Sequence, residues 1–260
     1  MGERASYAPG TFSWADLATT DVDSAKRFYG ALFGWEAEDM PAGDAGVYTM
    51  FRLEGNFVAA CYEQGADQRE QGVPPNWLSY VTVDDVEART VTARELGAAV
   101  LMDPLDIMDA GRLSVVQDPE GAVVAMWQPG RHMGAQVVNE PGALCWNELM
   151  TRDVERAKRF YGALFGWAWE DQTVPAPYTT IVNGGRGNGG MVAITEDMGQ
   201  VPPDWNVYFA VADCEAAVAR AEKLGGTAVV PTTEIAGGRF AIVRDPQGAG
   251  FCLFAGQLGP

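Results

Sequence analysis

Lys26–Trp35 reads KRFYGALFGW, and Lys158–Trp167 reads KRFYGALFGW again, letter for letter. The flanks match as well. GTFSWADLATTDVDSAKRFYGALFGWEAED answers GALCWNELMTRDVERAKRFYGALFGWAWED, keeping Trp14 with Trp146, Leu17 with Leu149 and Asp21 with Asp153. Two later blocks correspond in the same order. VPPNWLSYVTVDDVEA, Val73–Ala88, answers VPPDWNVYFAVADCEA, Val201–Ala216, and AGRLSVVQDPEGA, Ala110–Ala122, answers GGRFAIVRDPQGA, Gly237–Ala249. Three blocks in register make the chain a duplication of one domain of about 130 residues, a period too long for a solenoid repeat. The boundaries that follow are a first domain over 1–130, a connection over 131–141 and a second domain over 142–260.

Each half divides again. A first strand leads to Asp21, the N-cap of a helix whose apolar positions Val22, Ala25, Phe28, Tyr29 and Leu32 follow helical spacing, and Gly34 stops it. Short alternating strands, VYTMFRL and VAACY, come next, with GN as the turn signal between them. The rest of the half repeats the order. SYVTV is a strand, Asp84 or Asp85 caps a helix from Val86 to about Leu96, and strands follow near Ala99–Met102, Arg112–Gln117 and Ala122–Trp127. The chain therefore reads as α+β, four βαβββ modules taken in pairs. Within the decapeptide, Phe28 and Tyr29 (or Phe160 and Tyr161) should face the sheet of their own half.

The 260 residues are 47% hydrophobic and 20% charged, enough for two cores of ordinary size. A formal charge of −17 repels phosphate backbones and anionic lipid, so nucleic acid and membrane surfaces are unsuitable partners. No apolar run reaches bilayer length, and MGERASYAPG lacks the order of a signal peptide; the expected compartment is the cytoplasm. Cys61, Cys145, Cys214 and Cys252 have no CxxC spacing and read as buried free thiols. GGRGNGG, Gly184–Gly190, lies between strands rather than between strand and helix, which favours a flexible hairpin loop over a phosphate cradle.

Paired βαβββ modules with D-x-x-x-A-x-x-F-Y after the first strand, a G-W helix exit and DP-x-G near the end resemble the vicinal oxygen chelate superfamily. That group includes glyoxalase I, extradiol dioxygenases, fosfomycin resistance enzymes and bleomycin-binding proteins. More narrowly, the tandem arrangement is similar to actinobacterial two-domain glyoxalase-like proteins often labelled hydroxylases. The resemblance implies two vicinal-oxygen-chelate domains, each a curved mixed sheet enclosing a cup with helices outside.

It also implies where a metal would bind, and those positions hold the wrong residues. The ligand on the first strand falls on Trp14 and Trp146, the second on Leu78 and Asn206, and the last on Ala125 and Cys252. Indole and alkyl groups offer a divalent cation no lone pair, so neither a metal nor any other cofactor is expected. Asp16 and Glu148 stand two residues beyond the lost first ligand, on the cup-facing side of their strands. A carboxylate desolvated beside indole has a raised pKa, which makes these two the candidate acid–base residues. Each would otherwise need a partner, with Arg112 or Arg239 the available cations.

Trp14 and Tyr80 in one half, and Trp146, Asn206, Tyr208 and Cys252 in the other, are the candidate binding residues. The second cup, richer in polar groups, is the first choice for function. His132, the only histidine, reads as a connection residue at the domain interface. The leading expectation is a metal-independent small-molecule binding protein of the glyoxalase/bleomycin-resistance type, taking an aromatic or polyketide-like compound, as monomer or homodimer. One alternative is a metal-independent isomerase, lyase or hydroxylase-like enzyme of secondary metabolism using Glu148 or Asp16. The other is a divalent-metal lyase or dioxygenase.

Overall fold

The computed structural model describes residues 2–43, 46–173 and 176–258. In the first half the order is β1 (Phe12–Thr19), α1 (Val22–Phe33), β2 (Glu36–Pro41), β3 (Val47–Leu53), β4 (Asn56–Glu63), α2 (Ala66–Glu70), β5 (Asn76–Thr82), α3 (Val86–Glu95), β6 (Ala99–Ile107), β7 (Gly111–Gln117) and β8 (Val123–Pro129). The second half repeats it with β9 (Leu144–Thr151), α4 (Val154–Phe165), β10 (Ala168–Gln172), β11 (Tyr178–Asn183), β12 (Arg186–Ala193), β13 (Asp204–Ala210), α5 (Cys214–Lys223), β14 (Thr227–Ile235), β15 (Gly238–Arg244) and β16 (Gly250–Gly256).

Local chemistry sets the helix ends. Asp21 accepts a hydrogen bond from the Ser24 amide at 2.8 Å, Asp85 does the same for Ala88, and Asp153 and Asp213 repeat the caps in the second half. Gly34 and Gly166 close α1 and α4 in the left-handed region, which a side chain would disfavour.

Two eight-stranded sheets result, ordered β2-β3-β4-β1-β5-β8-β7-β6 and β10-β11-β12-β9-β13-β16-β15-β14. The modules of one half join through antiparallel β1–β5, with Asp16 opposite Leu78, and through β9–β13, with Glu148 opposite Asn206. Each cup therefore forms within one half. The outer strand β2 gives little sequence signal because all of it is exposed; Lys26–Asp39 and Arg52–Glu38 ion pairs and a Thr49–Asp39 hydrogen bond hold it.

The faces opposite the cups pack against each other. Ser79 on β5 donates to Asn147 on β9 at 2.7 Å, and Trp77 meets Phe209 with ring centroids 5.0 Å apart. Around this seam the repeated decapeptide does more than line its own sheet. Tyr29 donates to Asp245 of the other half at 3.0 Å while accepting from Trp77 Nε1, and Trp35 Nε1 donates to the Gly142 carbonyl at 2.7 Å. The mirror set is Tyr161 to Asp118 at 2.8 Å, Trp205 to Tyr161, and Trp167 to the Gly10 carbonyl at 2.7 Å. Tyr29 and Tyr161 thus pin the opposite half, beyond the expected contact with their own sheet.

The aspartates of DP-x-G complete this clasp. Asp118 Oδ1 accepts the Glu120, Gly121 and Ala122 amides of its own turn, leaving Oδ2 for Tyr161. In this clasp residue i meets j across the seam and j meets i, the isologous pattern of a two-fold dimer within one chain. That is the physical reason for the verbatim repeat.

Candidate functional site

In the first cup, β1 presents Trp14 and Asp16, β5 presents Tyr80, and β3 adds Tyr48. Asp16 Oδ2 accepts the Tyr80 hydroxyl at 2.6 Å and the Tyr48 hydroxyl at 2.9 Å. Tyr48 in turn accepts Trp14 Nε1 at 3.1 Å. Asp16 is 2% exposed, and its Oδ1 has no partner. Burial raises its pKa to about 6, against the two phenols, which favour the charged form.

The second cup repeats the geometry with a longer acid. Tyr208 donates to Glu148 Oε1 at 2.8 Å, Tyr178 also hydrogen bonds to Glu148, and Trp146 Nε1 donates to Tyr178 at 2.8 Å. Desolvation raises the Glu148 pKa, partly offset by Tyr208 and Tyr178. Cys252 lies beside Tyr208 in the β13–β16 register, fully buried, with its thiol pushed well above the usual range by burial.

The sequence places Trp14, Asp16 and Tyr80 in one cup and Trp146, Glu148, Asn206, Tyr208 and Cys252 in the other, and the geometry brings each set together. Three readings need correction. The acids are hydrogen bonded to tyrosines, not paired with arginine: Arg112 pairs with Glu87 and Asp106, and Arg239 with Glu215. His132 does not sit at the seam between halves. It enters the first cup, its ring 4.6 Å from Trp14 and near Phe57 and Trp127. Finally, only Gly184–Gly185 of GGRGNGG form the turn; Gly187, Gly189 and Gly190 belong to β12.

Of these strand glycines, Gly187 and Gly190 form the floor of the second cup, while Gly189 faces Phe12 and Ile181 on the other side of the strand. A Cβ at Gly190 would lie 1.9 Å from the Tyr178 hydroxyl oxygen, so glycine is what lets that hydroxyl cross β12 to Glu148. A Cβ at Gly187 would touch the Trp146 benzo ring at 3.5 Å. Tyr48 and Tyr178 escaped the sequence reading. Their signal was the Tyr-Thr pair in both VYTM and PYTT, whose threonines, Thr49 and Thr179, make matching hydrogen bonds to Asp39 and Asp171.

The three positions where the family resemblance implies a metal hold Trp14, Leu78 and Ala125 in one cup. In the other they hold Trp146, Asn206 and the buried, protonated thiol of Cys252. In the sheet register Tyr80 lies beside Ala125 and Tyr208 beside Cys252. Among the described residues, no group of three or more His, Cys, Asp or Glu converges as a metal site. The side chains present do not fit a divalent cation.

Residues 11–126 match the model of the Glyoxalase/Bleomycin resistance protein/Dioxygenase superfamily, and residues 144–254 match the Glyoxalase-like domain. The "Putative glyoxylase CFP32" of Mycobacterium tuberculosis is 43% identical over 257 residues, covering 97% of this chain and 97% of the relative. The chain belongs to the glyoxalase/bleomycin resistance/dioxygenase superfamily. Within it, the "Anthracycline biosynthesis protein DnrV" of Streptomyces peucetius is 37% identical over 262 residues, covering 95% of this chain and 94% of that protein. Two solved members share the fold. The Mn(II)-bound glyoxalase from Novosphingobium aromaticivorans superposes with a TM-score of 0.67 at 13% identity, covering 96% of this chain and 83% of that one. The 2,3-dioxygenase LapB from Pseudomonas sp. KL28 gives 0.65 at 12%, covering 97% and 95%. No helix among the described residues is long and apolar enough to cross a membrane.

Proposed function

We propose that this superfamily member is a small-molecule binding protein that works without a divalent metal, its second cup taking a flat, polyketide-like aromatic compound. The observation carrying this reading is the only partly buried face of Trp146, Glu148 and Asn206 over a glycine floor, where metal-dependent relatives place their ligands. Indole supplies a stacking wall. A carboxyl with a raised pKa, braced by Tyr178 and Tyr208, offers a donor or an acceptor as the compound requires. Relatedness to a protein named for anthracycline biosynthesis supports a fused-ring ligand and a place in secondary metabolism. The division into domains over 1–130 and 142–260, joined by 131–141, is part of the same proposal.

A second reading rests on the same carboxyl. Glu148, whose carboxyl pKa is pushed by desolvation above the ordinary carboxylate range, is suited to move a proton on a bound compound, as an isomerase or lyase requires. Native mass spectrometry after incubation with 1,4-dihydroxyanthraquinone tests the binding reading. Retention of the unchanged compound by wild type, with affinity within about tenfold in Glu148→Gln, supports binding. A compound altered only when Glu148 is intact favours the enzyme. No retained compound refutes the aromatic site.

A further inference from the structure

Trp14 and Trp146 occupy equivalent strand positions and make the same hydrogen bond, indole to tyrosine hydroxyl, yet one is 2% exposed and the other half-buried. On β9 the cup-facing residues Trp146, Glu148 and Met150 are all partly exposed, whereas every residue of β1 is buried. Something covers the first cup, and it comes from the chain itself.

The connection after β8 turns back over it. His132 is anchored by its carbonyl, which accepts Trp127 Nε1 at 2.9 Å, and by its amide, which donates to the Ala110 carbonyl at 3.0 Å. Further along, the Ala135 amide donates to the Ser13 carbonyl at 2.7 Å and the Gln136 amide to the Phe57 carbonyl at 2.7 Å, wedging the segment between β1 and β4. The imidazole stands edge-on to Trp14, with the Phe57 ring centroid 6.3 Å away, and its buried Nε2 has no partner. A ring with an idle nitrogen packed among aromatics behaves as an apolar disc. In the second half the register equivalent of Phe57, opposite Val182 as Phe57 is opposite Arg52, is Gly187.

We propose that the interdomain segment is the first cup's built-in occupant, and that the seat filled there by His132 and flanked by Phe57 is the seat that the described residues leave open beside Trp146 for a planar multi-ring ligand. Each chain then has one working cup. The missing imidazole and the missing phenyl ring are adjacent, so the open seat suits fused rings better than a single ring. Gly187 becomes the residue that sets ligand size.

This inference rests on the second cup being an aromatic site, and its test separates the two. With 1,4-dihydroxyanthraquinone followed by tryptophan quenching, wild type should bind one equivalent. Gly187→Phe should lose at least about tenfold in affinity, and Phe57→Gly/His132→Gly should bind two equivalents. Unchanged affinity in Gly187→Phe, or one equivalent in the double variant, overturns the seat while leaving the aromatic site standing. Independently of that probe, 4-methylimidazole should raise the Tm of His132→Gly by refilling its cavity and leave wild type unmoved. A His132→Gly Tm insensitive to 4-methylimidazole overturns the built-in occupant even if wild type takes no anthraquinone.

Discussion

Replacing Asp16 by Asn should change the pH dependence of stability more than stability at any one pH. Asp16 is 2% exposed, and burial lifts its carboxyl from 3.8 to about 6. The unfolded chain returns it to the ordinary carboxylate range. Because the folded state holds this proton more tightly, the contribution is fully present below about pH 4 and is lost as pH rises through about 6. A rise of about two pH units at 1.36 kcal/mol each makes the loss about 3 kcal/mol. Asn keeps an oxygen for the Tyr48 and Tyr80 hydroxyls and cannot ionise, so it removes the titration while preserving the geometry.

The assay is urea unfolding of wild type and Asp16→Asn between pH 4 and 8. Other titrating groups are shared, so they cancel in the difference. Relative to the variant, wild type should lose about 2–3 kcal/mol across the range, most of it between pH 4 and 6. A difference that stays level within about 0.5 kcal/mol would mean that Asp16 is not desolvated as described.

Three further outcomes are expected. Tyr161→Phe removes the hydroxyl linking Trp205 Nε1 to Asp118, stranding two buried groups; urea unfolding should show a loss of about 2–4 kcal/mol, and Tyr29→Phe a similar one at the mirror clasp. Gly190→Ala should expel the Tyr178 hydroxyl from β12 and weaken uptake of the anthraquinone probe, read by tryptophan quenching, with little change in overall fold by circular dichroism. Millimolar Mn(II) should leave the melting curve unmoved, whereas a true site saturated a thousandfold would add about 4 kcal/mol.

Much of the architecture was legible because it is encoded locally and written twice. Asp21 with Gly34, and Asp153 with Gly166, mark helix ends through hydrogen bonds within a few residues. Alternation placed Asp16 and Glu148 on the cup face because strand period depends only on backbone geometry. What escaped depends on distant pairing. That Asp16 is braced by Tyr48 follows from β3 lying two strands from β1, which no local pattern announces. The β12 glycines resembled a loop because their role is to make room for Tyr178 and Trp146, and close approach leaves no periodic signature. His132 was misplaced for a similar reason: the path of a connection is set by the surfaces it crosses.

Fusion of two copies makes their inequality unavoidable. The clasp of Tyr29 with Asp245 and Tyr161 with Asp118 can be symmetric because each half brings both partners. The connection cannot, since one segment joins two halves and can cross only one cup. Wherever it packs well, as His132 and Ala135 do against the first cup, it buries one set of walls and leaves the other set open. Sequence then diverges along that line: Asp against Glu, Phe57 against Gly187, Ala60 against Gly190. The shorter acid suits a closed cup and the longer acid an open one. The tyrosines, tryptophans and aspartates of the clasp match in both halves, and the cup residues that differ separate a cup covered by the connection from one whose walls stay partly exposed.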